Sequence, residues 1–174
     1  MPDEQGIKRA ALKTVAVRLT GAKVLDQEPV LLFATRQVEE ILQDVEVRPL
    51  PFAPDWLLGL CAWRRQVLPV VDIAKLHGMS FSADRSLYMV IRLVVPAEDE
   101  KENSSRRMLR CILKVSDRIA ARELPKQCAA AAIEASGLDP ALFKGLFAHE
   151  DGMMMVPNLL PTLCPPAAWP EPAV

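Results

Sequence analysis

The sequence predicts a mainly β protein with the architecture of a sandwich or barrel. Its apolar runs are short and are separated by turn residues, which is the pattern of strands in such folds. Helical spacing of apolar residues is rare along the chain. The 174 residues, 51% of them hydrophobic, can fill one core or two small lobes that share a core.

Seven runs are predicted as strands, and two segments are predicted as helices. The strands are residues 15–19, 30–35, 57–63, 67–71, 87–95, 108–115 and 153–156. In the last run, Met153, Met154 and Met155 are expected in the core. Residues 36–43 carry apolar side chains at helical spacing, and residues 128–135 are rich in alanine and are followed by Gly137, so we expect a helix in each segment.

The ends of the chain differ from its middle. Residues 1–13 are polar and are expected to form a mobile arm, and residues 164–174 form a proline-rich tail that cannot make regular ladders. Residues 14–163 are therefore predicted to be the folded domain. Within it, residues 96–107 change from acidic to basic and are expected to be a solvated hairpin loop. No signal peptide and no membrane-spanning run is recognisable, so we expect a cytoplasmic protein without direct membrane insertion.

Composition and motifs argue against catalysis. With 21 basic and 22 acidic side chains, no overall field favours nucleic acid. The four cysteines form no C-x-x-C pair, and no phosphate-binding or zinc-helix motif occurs. Cys61 and His77 are the one pair that could act as thiol nucleophile and base, and a thiol in a buried strand stays protonated. We expect no enzymatic activity and no cofactor or metal; a small hydrolase that uses Cys61 is the remote alternative.

One region, residues 38–78, carries a recognisable signature. In order along the chain it contains Glu39-Glu40-Ile41, Pro54, Gly59, Arg64, Leu68-Pro69-Val70-Val71-Asp72 and Gly78. This order resembles the core signature of the CheW family, the chemotaxis coupling proteins. The resemblance extends over residues 14–163. It implies two five-stranded SH3-like barrels that share a hydrophobic seam, with no active site.

The resemblance also implies partners. Members of the family link the cytoplasmic tip of methyl-accepting chemoreceptors to the regulatory domain of the histidine kinase CheA, so recruitment to membrane receptor arrays is expected. The family's functional glutamate and arginine correspond to Glu40 and Arg64. An adaptor for localisation or for another signalling system is the alternative on the same fold.

Further contact residues are predicted from exposure and charge. Large apolar groups on a surface tend to mark interfaces, so Phe52, Trp56 and Trp63 are expected to contact a partner. Arg65 stands where the family has glycine, which implies a different turn or strain of roughly 1 kcal/mol. We expect Glu40 to orient Arg64, leaving Arg65 free to reach a carboxylate on the partner.

The sequence departs from the family pattern at two further places. Ala62 stands where the family usually has asparagine. The strand over residues 108–119 aligns with the family pattern in more than one register, so the role of Asp117 stays open.

Overall fold

The structure, a computed structural model, describes residues 13–82, 85–95, 107–123, 129–131 and 133–163. In these residues the chain forms β1 (Lys13–Arg18), β2 (Pro29–Ala34), β3 (Val38–Leu42), β4 (Leu57–Trp63), β5 (Gln66–Asp72), α1 (Ile73–Leu76), β6 (Ser86–Val95), β7 (Arg107–Ser116), β8 (Ile119–Glu123), β9 (Ala129–Ala131), β10 (Phe143–His149), β11 (Gly152–Pro157) and α2 (Leu160–Leu163). Three 3-10 turns add Thr35–Gln37, Glu134–Ser136 and Pro140–Leu142. The fold is mainly β, and the seven predicted strands are confirmed.

The strands form two sheets. The first has the order β8-β1-β2-β11-β10-β9, and the second has the order β3-β6-β7-β5-β4. Neighbours are antiparallel except for one parallel pair in each sheet, β2 with β11 and β5 with β7. The edges of the second sheet are therefore β3, which carries Glu40, and β4, which carries Trp63.

The main core is a seam between the two sheets. It buries side chains of both, among them Leu31 and Met155 from the first sheet and Met89 and Leu113 from the second. Because side chains alternate along a strand, the outer faces hold smaller clusters of their own. The second sheet's cluster contains Cys61, Trp63, Leu68, Val70, Val90 and Ile112. The first sheet's cluster contains Ala16, Val30, Leu32 and Met154.

The helix predicted for residues 36–43 is wrong. This segment is a 3-10 turn followed by β3, which pairs with β6. A bulge at Glu39 shifts the register between Val38 and Glu40. The extra residue lets Val38 pack on the seam while Leu42 packs on the second sheet's cluster. The bulge thus produces an apolar spacing that imitates a helix, and Ile41 is 45% exposed instead of buried.

The second predicted helix, residues 128–135, is also wrong. Ala129–Ala131 forms β9 and pairs with β10, and a 3-10 turn follows at Glu134–Ser136. Pairing with a neighbouring strand overrides the helix preference of alanine. Gly137 does follow as a stop, with a left-handed φ of 71°.

Several predicted segments lie wholly or partly outside the described residues. They are the arm up to residue 12, the tail from residue 164 and residues 96–106 of the predicted hairpin loop. Lys13, predicted to belong to the arm, already begins β1. The strands on either side of the loop, β6 and β7, are antiparallel neighbours as a hairpin requires.

Candidate protein-binding site

Glu40, Trp63 and Arg64 form one contact group at the end of the second sheet. Glu40 Oε2 accepts a hydrogen bond from Trp63 Nε1 at 3.0 Å and another from Arg64 Nη2 at 3.2 Å. The Arg64 guanidinium lies 4.3 Å from the centroid of the Trp63 ring. The predicted contact between Glu40 and Arg64 is present, so Arg64 is held by a carboxylate on one side and an aromatic face on the other.

Arg64 and Arg65 are the two loop residues of the β4–β5 hairpin, whose last strand pair is Trp63 with Gln66. Arg64 has a φ of 54°, and it is the loop residue in the left-handed region. Positive φ at the first loop position alone is the pattern of a type II′ turn, which favours glycine there. Of the two outcomes predicted for Arg65, a different turn or strain, strain at Arg65 is wrong, because the loop residue with a positive φ is Arg64.

Trp63 is a core residue. It is 8% exposed and packs in the second sheet's cluster with Cys61, Leu68 and Val70. The prediction that Trp63 is an exposed contact is wrong. Its inward orientation follows from the alternation of β4, in which Cys61 and Trp63 point inward and Ala62 points out.

The two other predicted aromatic contacts, Phe52 and Trp56, differ from each other. Phe52 is fully exposed and has a φ of 60° in a turn closed by the Ala53 N–H, which donates to the Leu50 carbonyl at 3.4 Å. Trp56 is partly buried against the seam, and its carbonyl accepts a hydrogen bond from Asp72 N at 2.8 Å. Phe52 is thus available to a partner, whereas most of Trp56 is used by the fold.

An exposed apolar pair beside the hairpin tip was missed from the sequence. Val67 is 66% exposed, and it lies opposite Ala62, which is also exposed. The signal was available, because Val67 alternates with the inward-pointing Leu68 and Val70 along β5. These two residues place an apolar surface next to Arg64 and Arg65.

The same end of the second sheet contains a pocket of about 710 Å³, which we call the arginine pocket. Its charged lining residues are Arg36, Glu39, Arg64, Arg65, Arg92 and Arg110. Glu39, the bulge residue, accepts from Arg110 in fork geometry, at 2.8 Å from Nε and 3.1 Å from Nη2. This hydrogen bond holds the pKa of Glu39 below its ordinary value, and the nearby charges of Arg92 and Arg64 act in the same direction.

The Cys61 and His77 pair is not a catalytic site. Cys61 is buried in the second sheet's cluster, and burial raises the pKa of its thiol. His77 follows α1 and stacks on Phe143 of the first sheet at a centroid distance of 4.4 Å. Burial lowers the pKa of His77 to about 4, so the imidazole is neutral. Cys61 thus lies in the second sheet's cluster, whereas His77 contacts Phe143 of the seam. Among the described residues, no group of three or more His, Cys, Asp or Glu side chains could hold a metal ion.

Asp72 and Lys114 have structural contacts near the end of β5. Asp72 Oδ1 accepts from Lys75 N at 3.2 Å and so caps α1, and its Oδ2 lies 3.4 Å from Lys114 Nζ. The aspartate of the signature thus ends the strand and starts the helix.

Of the helices that the structure describes, none has the length and apolar character needed to cross a bilayer.

The two-sheet β fold and a candidate site of charged and apolar side chains at one sheet end are features of a β scaffold. Residues 21–160 match the CheW-like domain family, and the chain belongs to this family. Membership makes it a scaffold-type protein rather than an enzyme.

Two relatives illustrate the similarity. The curated chemotaxis protein CheW of Thermotoga maritima is 26% identical over 83 residues, which is 46% of this chain and 55% of that protein. The match therefore spans about half the length of this curated relative. The crystal structure of the scaffolding protein TtCheW from Thermoanaerobacter tengcongensis superposes with a TM-score of 0.60 at 17% identity, covering 86% of this chain and 90% of that one. At this identity the structural match shows the fold.

Proposed function

We propose that the protein is an adaptor of the chemotaxis type, which couples the cytoplasmic tip of a chemoreceptor to the regulatory domain of a CheA-type histidine kinase. We place it in the cytoplasm, recruited to membrane receptor arrays by these contacts. Membership of the CheW-like family supports the adaptor role. The partners themselves are inferred from the family.

The observation that carries the proposal is the fixed position of Arg64 at the hairpin tip. An exposed ion pair contributes only about 0 to 1 kcal/mol to stability, and a positive φ at a residue with a side chain costs about 1 kcal/mol or more. The fold therefore gains little from arginine at position 64. Binding to a partner gives a reason for it, because Glu40 and the Trp63 ring hold the guanidinium in place before any partner arrives.

The surface around Arg64 has the composition of an interface. Val67 and Ala62 supply apolar area, and Arg65 supplies a second guanidinium with no described carboxylate partner. Phe52 is an exposed aromatic ring on the connection between β3 and β4, which enters β4 at Leu57, the end of that strand away from the hairpin tip, so it is a separate candidate contact. Apolar area surrounded by arginine is typical of protein–protein contacts. We therefore assign Arg64, Arg65 and Val67 to the partner-contacting surface, with Glu40 and Trp63 as positioning residues and Phe52 as a separate candidate contact.

The test is binding of the purified protein to a CheA-type regulatory domain and to a receptor cytoplasmic tip, measured by calorimetry. Arg64→Glu reverses the charge at the tip and is expected to weaken at least one of the two complexes about tenfold or more. Arg118→Glu is the matched control, since Arg118 is an exposed arginine past the opposite end of β7. If Arg64→Glu binds both partners as tightly as the wild type at low and at high salt, the assignment of Arg64 to the site is wrong. Absence of binding by the wild type would remove the proposed partners.

An adaptor for a different signalling or localisation system is the second candidate. It is favoured by Arg65 and Ala62, which replace the glycine and asparagine usual in the family at the hairpin. Both replacements change the surface that would meet a standard partner. Recovery of a partner other than a CheA-type kinase in cross-linking, lost on Arg64→Glu, would support this candidate over the first.

A further inference from the structure

The arginine pocket gathers more positive charge than the carboxylates of the described residues neutralise. Its five arginines face one lining carboxylate, Glu39, and Glu40 pairs with Arg64 from beside the pocket. Among the residues that the structure describes, Arg36, Arg65 and Arg92 form no ion pair. Counted over the described residues alone, five arginines face two carboxylates, Glu39 and Glu40, so the pocket has a surplus of three positive charges in a protein whose net charge is −1.

The sheet register forces two of these charges together. Arg92 and Arg110 are direct cross-strand partners on β6 and β7. Like charges at directly opposite positions destabilise a strand pair. Because side chains alternate along a strand, Arg92 and Arg110 lie on the same face of the sheet as Val90 and Ile112. The two arginines therefore border the second sheet's apolar cluster. The bulge in β3 adds Glu39 to this layer, and its carboxylate takes Arg110.

The neighbouring Arg92 is held in place by a backbone carbonyl. Its Nε donates to the Arg36 carbonyl at 2.8 Å, which orients the guanidinium, and no carboxylate of the described part of the chain pairs with it. Arg36 and Arg65 approach the pocket from the turn before β3 and from the hairpin tip. Four separate segments thus present guanidinium groups to one space, and an anionic group in that space would relieve their mutual repulsion.

We propose that the arginine pocket binds an acidic peptide segment of a partner protein, which contributes two or more carboxylates; this deepens, and rests on, the proposed function as an adaptor. Glu39 is an internal example of this recognition, because Arg110 already holds its carboxylate in fork geometry. The three guanidiniums without an ion pair to a described residue come from three segments, and the pocket that they line has a volume of about 710 Å³, larger than a single small anion requires. A stretch of chain with several acidic side chains fits both the volume and the spread of charge.

Arg36 and Arg92 are the residues to vary, because neither contacts Glu40 or Trp63 in the group at the hairpin tip. Arg36→Gln keeps the carbonyl that Arg92 uses, and Arg92→Gln keeps the Arg110 and Glu39 pair. Arg118→Gln removes the same charge past the far end of β7 and is the matched control. Thermal melting of each variant confirms that the fold is retained.

The probe is a fluorescently labelled glutamate-rich peptide, read by anisotropy with the full chain, beside its glutamine counterpart. We expect the glutamate peptide alone to bind, more weakly as salt rises from about 50 to 300 mM. Arg36→Gln and Arg92→Gln should each weaken binding roughly two- to fivefold, and the double variant roughly tenfold, while Arg118→Gln has no effect. The same double variant should weaken the complex with the kinase domain or the receptor tip.

Other outcomes overturn the inference. Equal binding by wild type and double variant, or an equal loss with Arg118→Gln, would show that the pocket is not the site. Displacement of the peptide by low concentrations of inorganic phosphate or by a single-stranded oligonucleotide would make it a phosphate site instead. If the protein binds a kinase domain or receptor tip that is unaffected by the double variant, the inference fails while the proposed function stands.

Discussion

Glu40 Oε2 lies 3.0 Å from Trp63 Nε1, and this hydrogen bond joins β3 to β4, the two edge strands of the second sheet. These strands are separated by three others in the sheet, so the sheet must curl for their side chains to meet. The bond satisfies the indole N–H of a buried residue, and it fixes the carboxylate that holds Arg64. One atom of Glu40 therefore serves both the packing of the lobe and the position of the contact residue.

Glu40→Ala should destabilise the protein by about 1 to 3 kcal/mol, because the buried indole N–H loses its acceptor. Glu40→Gln keeps an oxygen acceptor and removes only the exposed ion pair, so it should cost less than about 1 kcal/mol. Chemical denaturation of both variants measures the difference. Equal losses would mean that the indole hydrogen bond contributes nothing.

Trp63→Ala should destabilise the protein by about 3 to 5 kcal/mol, since it empties a core position. If Trp63→Ala instead leaves the melting temperature unchanged and weakens partner binding, Trp63 is an interface residue and not a core residue. Trp63→Phe retains most of the apolar volume and serves as the matched variant, with a smaller expected loss.

Much of the fold could be predicted from local patterns, and the failures have physical causes. Strands such as residues 57–63 and 87–95 are recognisable because their apolar runs are bounded by turn residues. The bulge at Glu39 could not be predicted, since it depends on the pairing of β3 with β6. The strand at Ala129–Ala131 exists because β10 offers it a partner.

Some residues of the candidate site could likewise be predicted from the sequence, and others could not. Glu40 and Arg64 were found through the family signature. The inward side of Trp63 and the outward side of Val67 were encoded in the alternation of β4 and β5, and were overlooked. The arginine pocket was not predictable, because Arg36, Arg92 and Arg110 are far apart in sequence and meet only through the strand order of the sheet.

Phe52→Gly should raise stability and lower partner affinity at the same time. The left-handed φ of 60° favours glycine, so the turn relaxes by up to about 1 kcal/mol, and the loss of an exposed ring removes only partner contact. Leu25→Gly is the matched control, because Leu25 is an exposed apolar residue with a φ of 48° between β1 and β2. Both variants should melt higher in calorimetry, and only Phe52→Gly should bind the kinase domain or receptor tip more weakly. Unchanged binding would withdraw Phe52 from the contact surface.

Arg65→Gly should lower stability by about 0.5 to 1 kcal/mol. Arg65 has a negative φ, so glycine relieves no strain and only increases the conformational entropy of the unfolded chain. This sign is opposite to the expectation from the family's glycine. A rise in the melting temperature on Arg65→Gly would show that the hairpin prefers a different turn.

His77 should make stability fall in acid. The side chain is 5% exposed, neither ring nitrogen has a hydrogen-bond partner among the described residues, and burial lowers its pKa from 6.5 to about 4. Between these two values the unfolded chain is protonated at His77 and the folded one is not. Above pH 6.5 His77 is neutral in both states and does not change the free energy of unfolding. As the pH falls from 6.5 towards 4, the free energy of unfolding decreases by about 3 kcal/mol in total.

The comparison variant is His77→Leu, which has no titrating group and removes an unpaired ring N–H from the seam. We expect it to be more stable than wild type at pH 7 by about 1 kcal/mol, and the advantage should grow as the pH is lowered from 7 to 4. Chemical denaturation of both proteins across this range isolates the His77 contribution, because other titrating groups affect the two alike. A constant difference between them from pH 7 to 4 would mean that His77 keeps its ordinary pKa in the folded protein, which would require a polar partner or water inside the seam.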